Sequence, residues 1–386
     1  MNTLFVSMSR YPEGDSADVL RLINIISLFK QNNSNVFVIS RGDTTDFQRK
    51  GHQISDYISF RSRKNSSLQK LIDIILFTAR LREFLKHSDM KWNRIVIDVV
   101  PNSTVKYLKK YAKQRNIQII VDCVEWFSKE EYRLGRFNYE YVSQDYLIKK
   151  LIDKQFYVIS ISSYLEKYFR SRGIKTIRIP VILDIENIKY KKRNASSKIV
   201  VIYAGSPGGK DALDVMIKGF ELLSDREKTK IEFRIIGVDW KWIKRRYHFS
   251  KTRIDKMKNY ICVYGRVDRS QVHNYMEEAD FSILLRPENL RYAKAGFPTK
   301  IVESLANGTP VICNLTSDLD KYIRENYNGK IVSECTAQSL CETLKEILKM
   351  ERQQILGMGS GARKSAEVGF DTKRYASKFN KFLNAD

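Results

Sequence analysis

The residues with the clearest chemical pattern lie between Phe281 and Asn314, where a short apolar strand leads into a loop, a helix and a second strand. Four residues form the turn at which the helix begins: Phe297, Pro298, Thr299 and Lys300. After a parallel strand, such a turn presents free backbone N–H groups and the positive end of the helix dipole to an anion. Glu303, one turn into the helix, can accept hydrogen bonds from sugar hydroxyls. This combination predicts a nucleotide bound through both its diphosphate and its ribose.

A glycine-rich loop, Tyr-Ala-Gly-Ser-Pro-Gly-Gly-Lys-Asp, follows the first strand of the second half of the chain. Its glycines, among them Gly205, let the backbone approach a ligand closely, and Ser206 comes next in the loop. Lys210 supplies a positive charge where a diphosphate would lie. The spacing differs from that of a Walker P-loop. The alternative is a glycine-rich surface turn with a solvated lysine.

Two further strands of the second half end in candidate ligand contacts. After the third strand, the backbone near Val267 could read a base edge, and Arg266 could contact phosphate or cap a helix. An ordinary turn is the alternative there. After the fourth strand, Arg286 is a candidate diphosphate ligand because a guanidinium matches the geometry of phosphate oxygens. Glu288 is an alternative partner for this arginine.

The first half offers weaker candidates. Asp122 and Glu125 follow a predicted strand and could bind an acceptor hydroxyl or act as a base. Helix capping or salt bridging is the alternative. Gly14, after the first strand, would let its loop approach a ligand, although an ordinary strand-to-helix turn explains it equally well.

The elements that must position these residues alternate between short apolar runs and amphipathic helical stretches, which predicts an α/β fold with mostly parallel sheets. A polar and charged stretch at Glu186–Ser197 is typical of an interdomain linker. We therefore predict two Rossmann-like domains, at residues 1–185 and 198–369. Residues 370–386 are expected to form a helix that packs back toward the N-terminal domain.

The composition is that of a folded globular protein with an unusually positive charge. The chain has 386 residues, 43% of them hydrophobic, and a formal net charge of +24. No apolar run approaches the ~20 residues that span a bilayer, and no signal peptide is evident, so we expect a cytoplasmic protein. The charge favours anionic partners, unless it reflects the composition bias of a lysine-rich, AT-rich genome. The basic and aromatic cluster around Lys244-Arg245-Arg246 could touch a membrane or be a solvated face.

These motifs resemble those of the family 4 retaining glycosyltransferases with the GT-B fold, of the type found in bacterial surface and capsular polysaccharide pathways. The resemblance is most specific in YAGSPGGKD, YGRV, LLRP, AGFPTKIVES and GTPVICN. It implies two Rossmann-like domains that face each other across a cleft, with the sugar nucleotide in the C-terminal one. It also implies that Lys210 contacts the donor diphosphate and Glu303 the ribose. Backbone groups near Phe297 and Thr299 would bind phosphate, and those near Val267 the base.

The sequence departs from the family pattern at four positions. Ala295 occupies the place of a glutamate that usually helps to position the donor sugar. Ser206 replaces the arginine that accompanies the diphosphate lysine, and Val124 stands where many members have a histidine. The paired glycines of the first loop are reduced to Gly14.

The reaction predicted from these residues is transfer of a hexose, with retention, from a nucleoside diphosphate sugar of UDP or GDP to a hydroxyl of a glycan or polyprenyl-linked acceptor. Lys210, Arg286 and Glu303 are the predicted catalytic residues. No metal or other cofactor is expected, because fixed positive groups can stabilise the leaving diphosphate. Peripheral contact with an anionic membrane is predicted, and nucleic-acid binding is not. The alternatives are a GT-B-like sugar-nucleotide epimerase and a non-enzymatic anionic-polymer-binding protein.

Overall fold

The computed structural model describes residues 1–12, 16–41, 50–51, 55–60, 67–188, 190 and 197–384. In these residues the strands are β1 (Asn2–Ser7), β2 (Asn35–Ser40), β3 (Lys50–Gly51), β4 (Asp56–Ser59), β5 (Arg94–Asp98), β6 (Gln118–Cys123), β7 (Phe156–Ser160), β8 (Lys175–Arg178), β9 (Ile199–Ala204), β10 (Ile231–Ile236), β11 (Ile261–Gly265), β12 (Phe281–Leu284), β13 (Val311–Cys313) and β14 (Gly329–Ile331).

Helices connect most of these strands. In the same described residues the α-helices are α1 (Ala17–Gln31), α2 (Ser67–His87), α3 (Asn102–Arg115), α4 (Tyr139–Tyr146), α5 (Ser163–Ser171), α6 (Leu213–Glu221), α7 (Asp225–Lys228), α8 (Trp240–Tyr247), α9 (Lys251–Met257), α10 (Arg269–Glu278), α11 (Arg291–Ala295), α12 (Thr299–Ala306), α13 (Ala337–Ile347), α14 (Arg352–Gly369) and α15 (Ala376–Leu383). None of them is both long enough and apolar enough to cross a membrane.

The chain divides into two compact units. Unit 1 comprises Met1–Lys129, Arg133–Leu183 and Thr372–Asp386, and unit 2 comprises Glu130–Tyr132 and Asp184–Asp371. Within unit 1, α15 joins the core through Phe379, whose ring lies 4.9 Å from that of Phe29 on α1. The last segment of the chain is therefore part of the hydrophobic core of unit 1.

Each unit is built around one sheet. The order in unit 1 is β3-β4-β2-β1-β5-β6-β7-β8, and every neighbouring pair is parallel except β3 with β4. The order in unit 2 is β11-β10-β9-β12-β13-β14, all parallel. These strands are apolar because helices cover both faces of such sheets. The predicted α/β class is confirmed.

In each sheet, the order in which successive strands are added changes side once, between β1 and β5 in unit 1 and between β9 and β12 in unit 2. The strands on both sides of this point are parallel. At such a switch point the two following loops leave toward opposite faces and open a crevice at the carboxyl ends of the strands. Ligands of open α/β sheets bind in this crevice, so the two switch points are where functional residues are expected.

The predicted elements match the structure closely but not completely. The alternation of strands and helices is as predicted, whereas β4 and β8 are short and hold few apolar residues, so the sequence pattern gives little signal for them. The predicted C-terminal helix was wrong in its bounds. It consists of a 3-10 turn at Thr372–Tyr375 followed by α15 at Ala376–Leu383.

Candidate functional site

The switch point of unit 2 brings the glycine-rich loop next to the loop that follows β12. The Ala212 N–H, at the end of the first loop, donates to the Leu285 carbonyl at the start of the second, at 2.9 Å. Residues that are about 75 positions apart in sequence therefore meet at one edge of the sheet. Lys210 lies on the first of these loops and Arg286 on the second.

Asp211, which the sequence analysis did not single out, is the centre of this site. Its Oδ1 accepts a hydrogen bond from Arg286 Nε at 2.8 Å, and its Oδ2 accepts from the Tyr203 hydroxyl at 2.8 Å and forms an ion pair with Lys300 Nζ. The Asp211 side chain is only 2% exposed, compared with 14% for Arg286 and 24% for Lys300. We call these four residues the Asp211 cluster.

The partner of Arg286 is therefore Asp211 and not Glu288. The Glu288 carboxylate instead accepts hydrogen bonds from Asn314 Nδ2 and from the Cys335 N–H. Because Asp211 bonds only Nε of the guanidinium among the described residues, both terminal nitrogens of Arg286 remain available as phosphate donors.

The charges of the Asp211 cluster follow from its contacts. Burial opposes ionisation of Asp211, but Arg286 and Lys300 outweigh it and hold the carboxyl pKa below its ordinary value. Burial and the neighbouring Asp211 charge raise the pKa of the Tyr203 hydroxyl well above its usual range, so tyrosine is neutral. One carboxylate therefore faces two cations, which leaves a net positive charge at the switch point.

Gly205 makes the position of Lys300 possible. Gly205 has a φ of +135°, a conformation that L side chains rarely adopt. A Cβ at this position would overlap Cε of Lys300. The Lys300 ammonium also donates to the Ser206 carbonyl at 3.3 Å and to the Tyr203 hydroxyl at 3.1 Å. The glycine therefore lets Lys300 reach the loop, while the exposed Ser206 contributes through its backbone.

Lys210 lies against a segment that the sequence analysis did not connect to it. The Lys210 Nζ is 3.6 Å from a carboxylate oxygen of Glu131, whose side chain is 5% exposed. The backbone carbonyl of Lys210 accepts a hydrogen bond from the Tyr292 hydroxyl at 2.9 Å. The segment Glu130–Tyr132 belongs to unit 2. A cavity of about 340 Å³ opens along this loop and is lined by Lys210, Asp211 and Arg246 among others.

The turn before α12 is held by apolar packing. Phe297 is buried against the rings of Tyr322 and Phe370, with centroids 5.6 and 5.7 Å away. Pro298 occupies the N-cap position, and no side chain caps the helix, which starts at Thr299. The backbone N–H groups of this first turn are thus the features suited to an anion.

Glu303 lies one turn into α12 and is half-buried. The opposite face of the helix packs Ile301, Val302 and Leu305 into the core, which fixes the direction of the glutamate.

The loop after β11, the outermost strand of the sheet, starts at the carboxyl ends of the parallel strands, as the other site loops do. In it Arg266 is exposed, and Val267 is half-buried against the core cluster that contains Ile202.

The structure gives Asp122 a structural role. Its two carboxylate oxygens accept hydrogen bonds from Nε and Nη2 of Arg21, both at 2.7 Å, and the two side chains are 4% and 7% exposed. This arrangement is the salt-bridged alternative that the sequence left open. The Glu125 side chain is half-buried, and the glutamate backbone carbonyl accepts from Gln144 Nε2 at 3.1 Å. Gly14 lies outside the described residues.

A second acidic residue that sequence reasoning missed lies at the switch point of unit 1. Asp98, at the end of β5, is paired in register with Ser7 at the end of β1 and accepts a hydrogen bond from its hydroxyl at 2.8 Å. Burial and the nearby Asp122 charge raise the pKa of Asp98 to about 7. The signal in the sequence was an aspartate that directly follows the apolar run Ile95–Ile97.

No group of three or more histidine, cysteine, aspartate and glutamate side chains in the described part of the chain is arranged to hold a metal ion. The charged groups identified at the switch point of unit 2 are the Asp211 cluster and the Lys210–Glu131 pair.

Comparison with known proteins bears on the same region. Residues 184–364 match the family model described as glycosyl transferases group 1. No curated protein matches the sequence significantly.

Three similar solved structures share the fold over nearly the whole of both chains. Sucrose-phosphate synthase from Thermosynechococcus elongatus has a TM-score of 0.75 at 14% identity and covers 99% of this chain and 98% of its own. HepE from Anabaena, in complex with UDP and glucose, has a TM-score of 0.67 at 15% identity, with 100% of both chains covered. WaaG, a glycosyltransferase involved in lipopolysaccharide biosynthesis, has a TM-score of 0.67 at 14% identity, also over 100% of both chains. Residues 184–364 thus match the group 1 glycosyl transferases, and the chain has the GT-B fold of these similar structures.

Proposed function

We propose that the protein transfers a hexose from a nucleoside diphosphate sugar to a hydroxyl acceptor with retention, as a family 4 enzyme. The observation that carries this proposal is the positive switch point of unit 2, where two loops and the start of α12 bring Lys210, Arg286 and Lys300 together. A diphosphate fits this charge, and the HepE structure, which holds UDP and glucose, supports UDP as the nucleotide.

Charge that develops on the leaving diphosphate would be stabilised by groups that are already in place. Arg286 offers its two terminal nitrogens because Asp211 bonds Nε alone. Lys210 contributes a second cation, and the N–H groups at the start of α12 contribute neutral donors. Donors that are fixed before the reaction need no reorganisation when the charge appears.

Glu303 is proposed to hold the ribose. Glu303 lies one turn beyond the start of α12, so a ribose attached to a diphosphate bound at that helix start would come close to its carboxylate. The mechanism we propose delivers the acceptor hydroxyl to the same face that the diphosphate leaves, and a leaving phosphate oxygen takes up the acceptor proton. The C–O bond to the diphosphate breaks as the new C–O bond to the acceptor forms, so configuration is retained.

The acceptor is proposed to be a glycan, either free or linked to a polyprenyl carrier at the inner face of the membrane, in surface polysaccharide synthesis. The role of WaaG in lipopolysaccharide biosynthesis supports this class of acceptor. Transfer is proposed to need no metal, because the cationic side chains and helix N–H groups supply the required positive charge.

A thermal-shift screen tests the donor site directly. UDP, GDP, ADP, CMP and dTDP are each added with Mg²⁺ or with EDTA, since a ligand that binds only the folded state raises the melting temperature. We expect a shift with one diphosphate, equal in both buffers and abolished in Glu303→Ala. If none of the nucleotides shifts the melting temperature, the donor site is refuted.

Turnover tests the catalytic role of Lys210. Lys210→Ala should lower kcat by about 10²-fold, the usual cost of removing one group that stabilises transition-state charge. Lys218→Ala is the matched control, because Lys218 is a half-exposed lysine on α6 that pairs with Asp214. Equal activity of the two variants would refute the role of Lys210. Release of a nucleotide with an altered sugar in the absence of acceptor would instead identify an epimerase.

A further inference from the structure

Glu131 belongs to a short segment that the chain contributes to unit 2. Residues Glu130–Tyr132 lie in unit 2, whereas the residues on both sides of them, up to Lys129 and from Arg133, lie in unit 1. Within this segment Glu130 is exposed, but the Glu131 side chain is only 5% exposed. An ionised carboxylate is costly to bury unless a cation or hydrogen-bond donors compensate it. The buried position of Glu131 therefore depends on its partners.

Glu131 contacts the glycine-rich loop of the candidate donor site. The carboxylate oxygen Oε2 of Glu131 lies 3.6 Å from Lys210 Nζ. The backbone carbonyl of Glu131 lies so close to Gly209 that a Cβ at that position would come within 3.2 Å of the carbonyl oxygen. A side chain at position 209 would press on the segment, so the glycine lets Glu131 approach the lysine that follows it.

Tyr292 links the surroundings of Glu131 to those of Arg286. Burial raises the pKa of the Tyr292 hydroxyl, the Arg286 charge lowers it, and the Glu131 charge raises it again. The same hydroxyl donates a hydrogen bond to the Lys210 carbonyl at 2.9 Å. The negative charge of Glu131 therefore lies near Lys210 and Arg286, the two side chains that we assign to the leaving diphosphate.

The geometry of the Lys210–Glu131 pair allows a phosphate to replace the carboxylate. Charge-assisted hydrogen bonds between an ammonium and a carboxylate are about 2.7–2.9 Å long, so at 3.6 Å the two groups attract each other without a direct hydrogen bond. The backbone holds Lys210 in place, because its N–H donates to the Pro207 carbonyl at 3.2 Å and its carbonyl accepts from Tyr292. Glu131 is therefore not needed to keep Lys210 on the loop.

Asp211 and Glu131 differ in what they do to the cations they face. Asp211 bonds Nε of Arg286 at 2.8 Å and leaves the terminal nitrogens of the guanidinium to a phosphate. Glu131 instead faces the ammonium of Lys210, which is the group that a phosphate needs. A phosphate oxygen that reaches Lys210 meets the negative charge of Glu131, and like charges repel.

We propose that Glu131 opposes binding of the diphosphate at Lys210 and thereby speeds release of the nucleoside diphosphate product. The inference rests on the proposed function, which assigns Lys210 to the diphosphate. Near pH 7 the product carries more negative charge than the sugar nucleotide, because its terminal phosphate has a second ionisation with a pKa of about 6. The repulsion by Glu131 is therefore larger for the product than for the donor substrate.

Isothermal titration calorimetry of the full chain with UDP and with UDP-glucose tests the proposal. Glu131→Gln keeps the shape of the side chain and removes its charge. We expect this variant to bind UDP about tenfold more tightly and UDP-glucose about threefold more tightly, since the repulsion that is removed grows with the charge of the ligand. Glu130→Gln is the matched control, because it removes the same charge from the neighbouring exposed position. It should change either affinity by less than about twofold, since water and salt screen an exposed charge.

The dissociation rate gives a second readout, and a purely structural role of Glu131 would not change it in the expected direction. A fluorescent N-methylanthraniloyl derivative of UDP is bound first and then displaced by excess unlabelled UDP. Its dissociation from Glu131→Gln should be about tenfold slower than from the wild type, because variants of one site differ in affinity mainly through koff. Melting temperatures of the unliganded variants show whether they are folded.

The outcomes separate this inference from the proposed function. If the wild type binds UDP but Glu131→Gln binds it equally or more weakly, the inference alone is overturned, because Glu131 then positions Lys210 or plays no part. Equal tightening by Glu131→Gln and Glu130→Gln would also overturn it, since the effect would come from net charge and not from the pair. If neither the wild type nor Glu131→Gln binds UDP or any other nucleoside diphosphate of the thermal-shift screen, the donor site is refuted and the inference with it.

Discussion

Replacement of Asp211 by asparagine should destabilise unit 2 although the side chain hardly changes in size. The carboxylate is 2% exposed and bonds two cations, so Asp211→Asn leaves Arg286 and Lys300 without a counter-charge. Loss of one partner from a buried ion pair costs about 3–5 kcal/mol. Because the two cations are 14% and 24% exposed, water offsets part of this loss, and we expect a cost of about 3 kcal/mol, at the lower end of that range.

Urea unfolding at pH 7 measures this cost directly. In a thermal scan the same cost corresponds to roughly 6–12 °C, at about 2–4 °C per kcal/mol for a unit of this size. Asp214→Asn is the matched control, because Asp214 forms an i,i+4 ion pair with Lys218 on the surface of α6. The Asp214 side chain is 34% exposed and the Lys218 side chain is 46% exposed. Such surface pairs contribute about 0.3–0.5 kcal/mol.

The pH dependence provides an independent check. The native pKa of Asp211 lies below its ordinary value of 3.8, so its stabilising effect is present above that pH and is lost as the pH falls through the native pKa. The difference in unfolding free energy between wild type and Asp211→Asn should therefore shrink in acid. A variant as stable as the wild type at pH 7, or a difference that stays constant down to acid pH, would refute the reasoning.

Three further predictions concern residues at the two switch points. Gly205→Ala should destabilise unit 2 by about 1–3 kcal/mol and abolish the nucleotide-induced thermal shift, whereas Gly208→Ala, with no atom within 4 Å of its Cβ, should keep that shift. Arg21→Ala should cost about 3–5 kcal/mol in urea unfolding, because it leaves the Asp122 carboxylate buried and unpaired; a loss below about 1 kcal/mol would contradict this. Wild-type stability should fall as the pH rises from the ordinary carboxyl pKa of 3.8 to about 7 and level off above it, because the native pKa of Asp98 is raised to about 7 by burial. Asp98→Asn should remove that fall, and identical pH profiles would show that Asp98 does not titrate in this range.

The sequence alone predicted the loops that carry the candidate site, but not Asp211 at its centre. The glycine-rich loop, the turn at Phe297–Thr299 and the strand before Arg286 are local patterns, because turn residues, helix starts and apolar runs depend on neighbours in the chain. Alternation of strands and helices predicted parallel sheets. The carboxyl ends of parallel strands share one edge of the sheet, so the site loops were expected to converge.

The partners of the charged residues depended on the tertiary structure. Asp211 bonds Arg286 and Lys300 from 75 and 89 residues away, and Arg21 bonds Asp122 from 101 residues away. Sequence patterns describe which face of an element is apolar, but they do not show which ends of distant elements meet. The sequence thus determined the fold class and the loops that hold the site, through local periodicity and turn chemistry. The order of strands in each sheet decides which loops are neighbours, and therefore which charged side chains come close enough to form ion pairs. This order is a property of the tertiary structure.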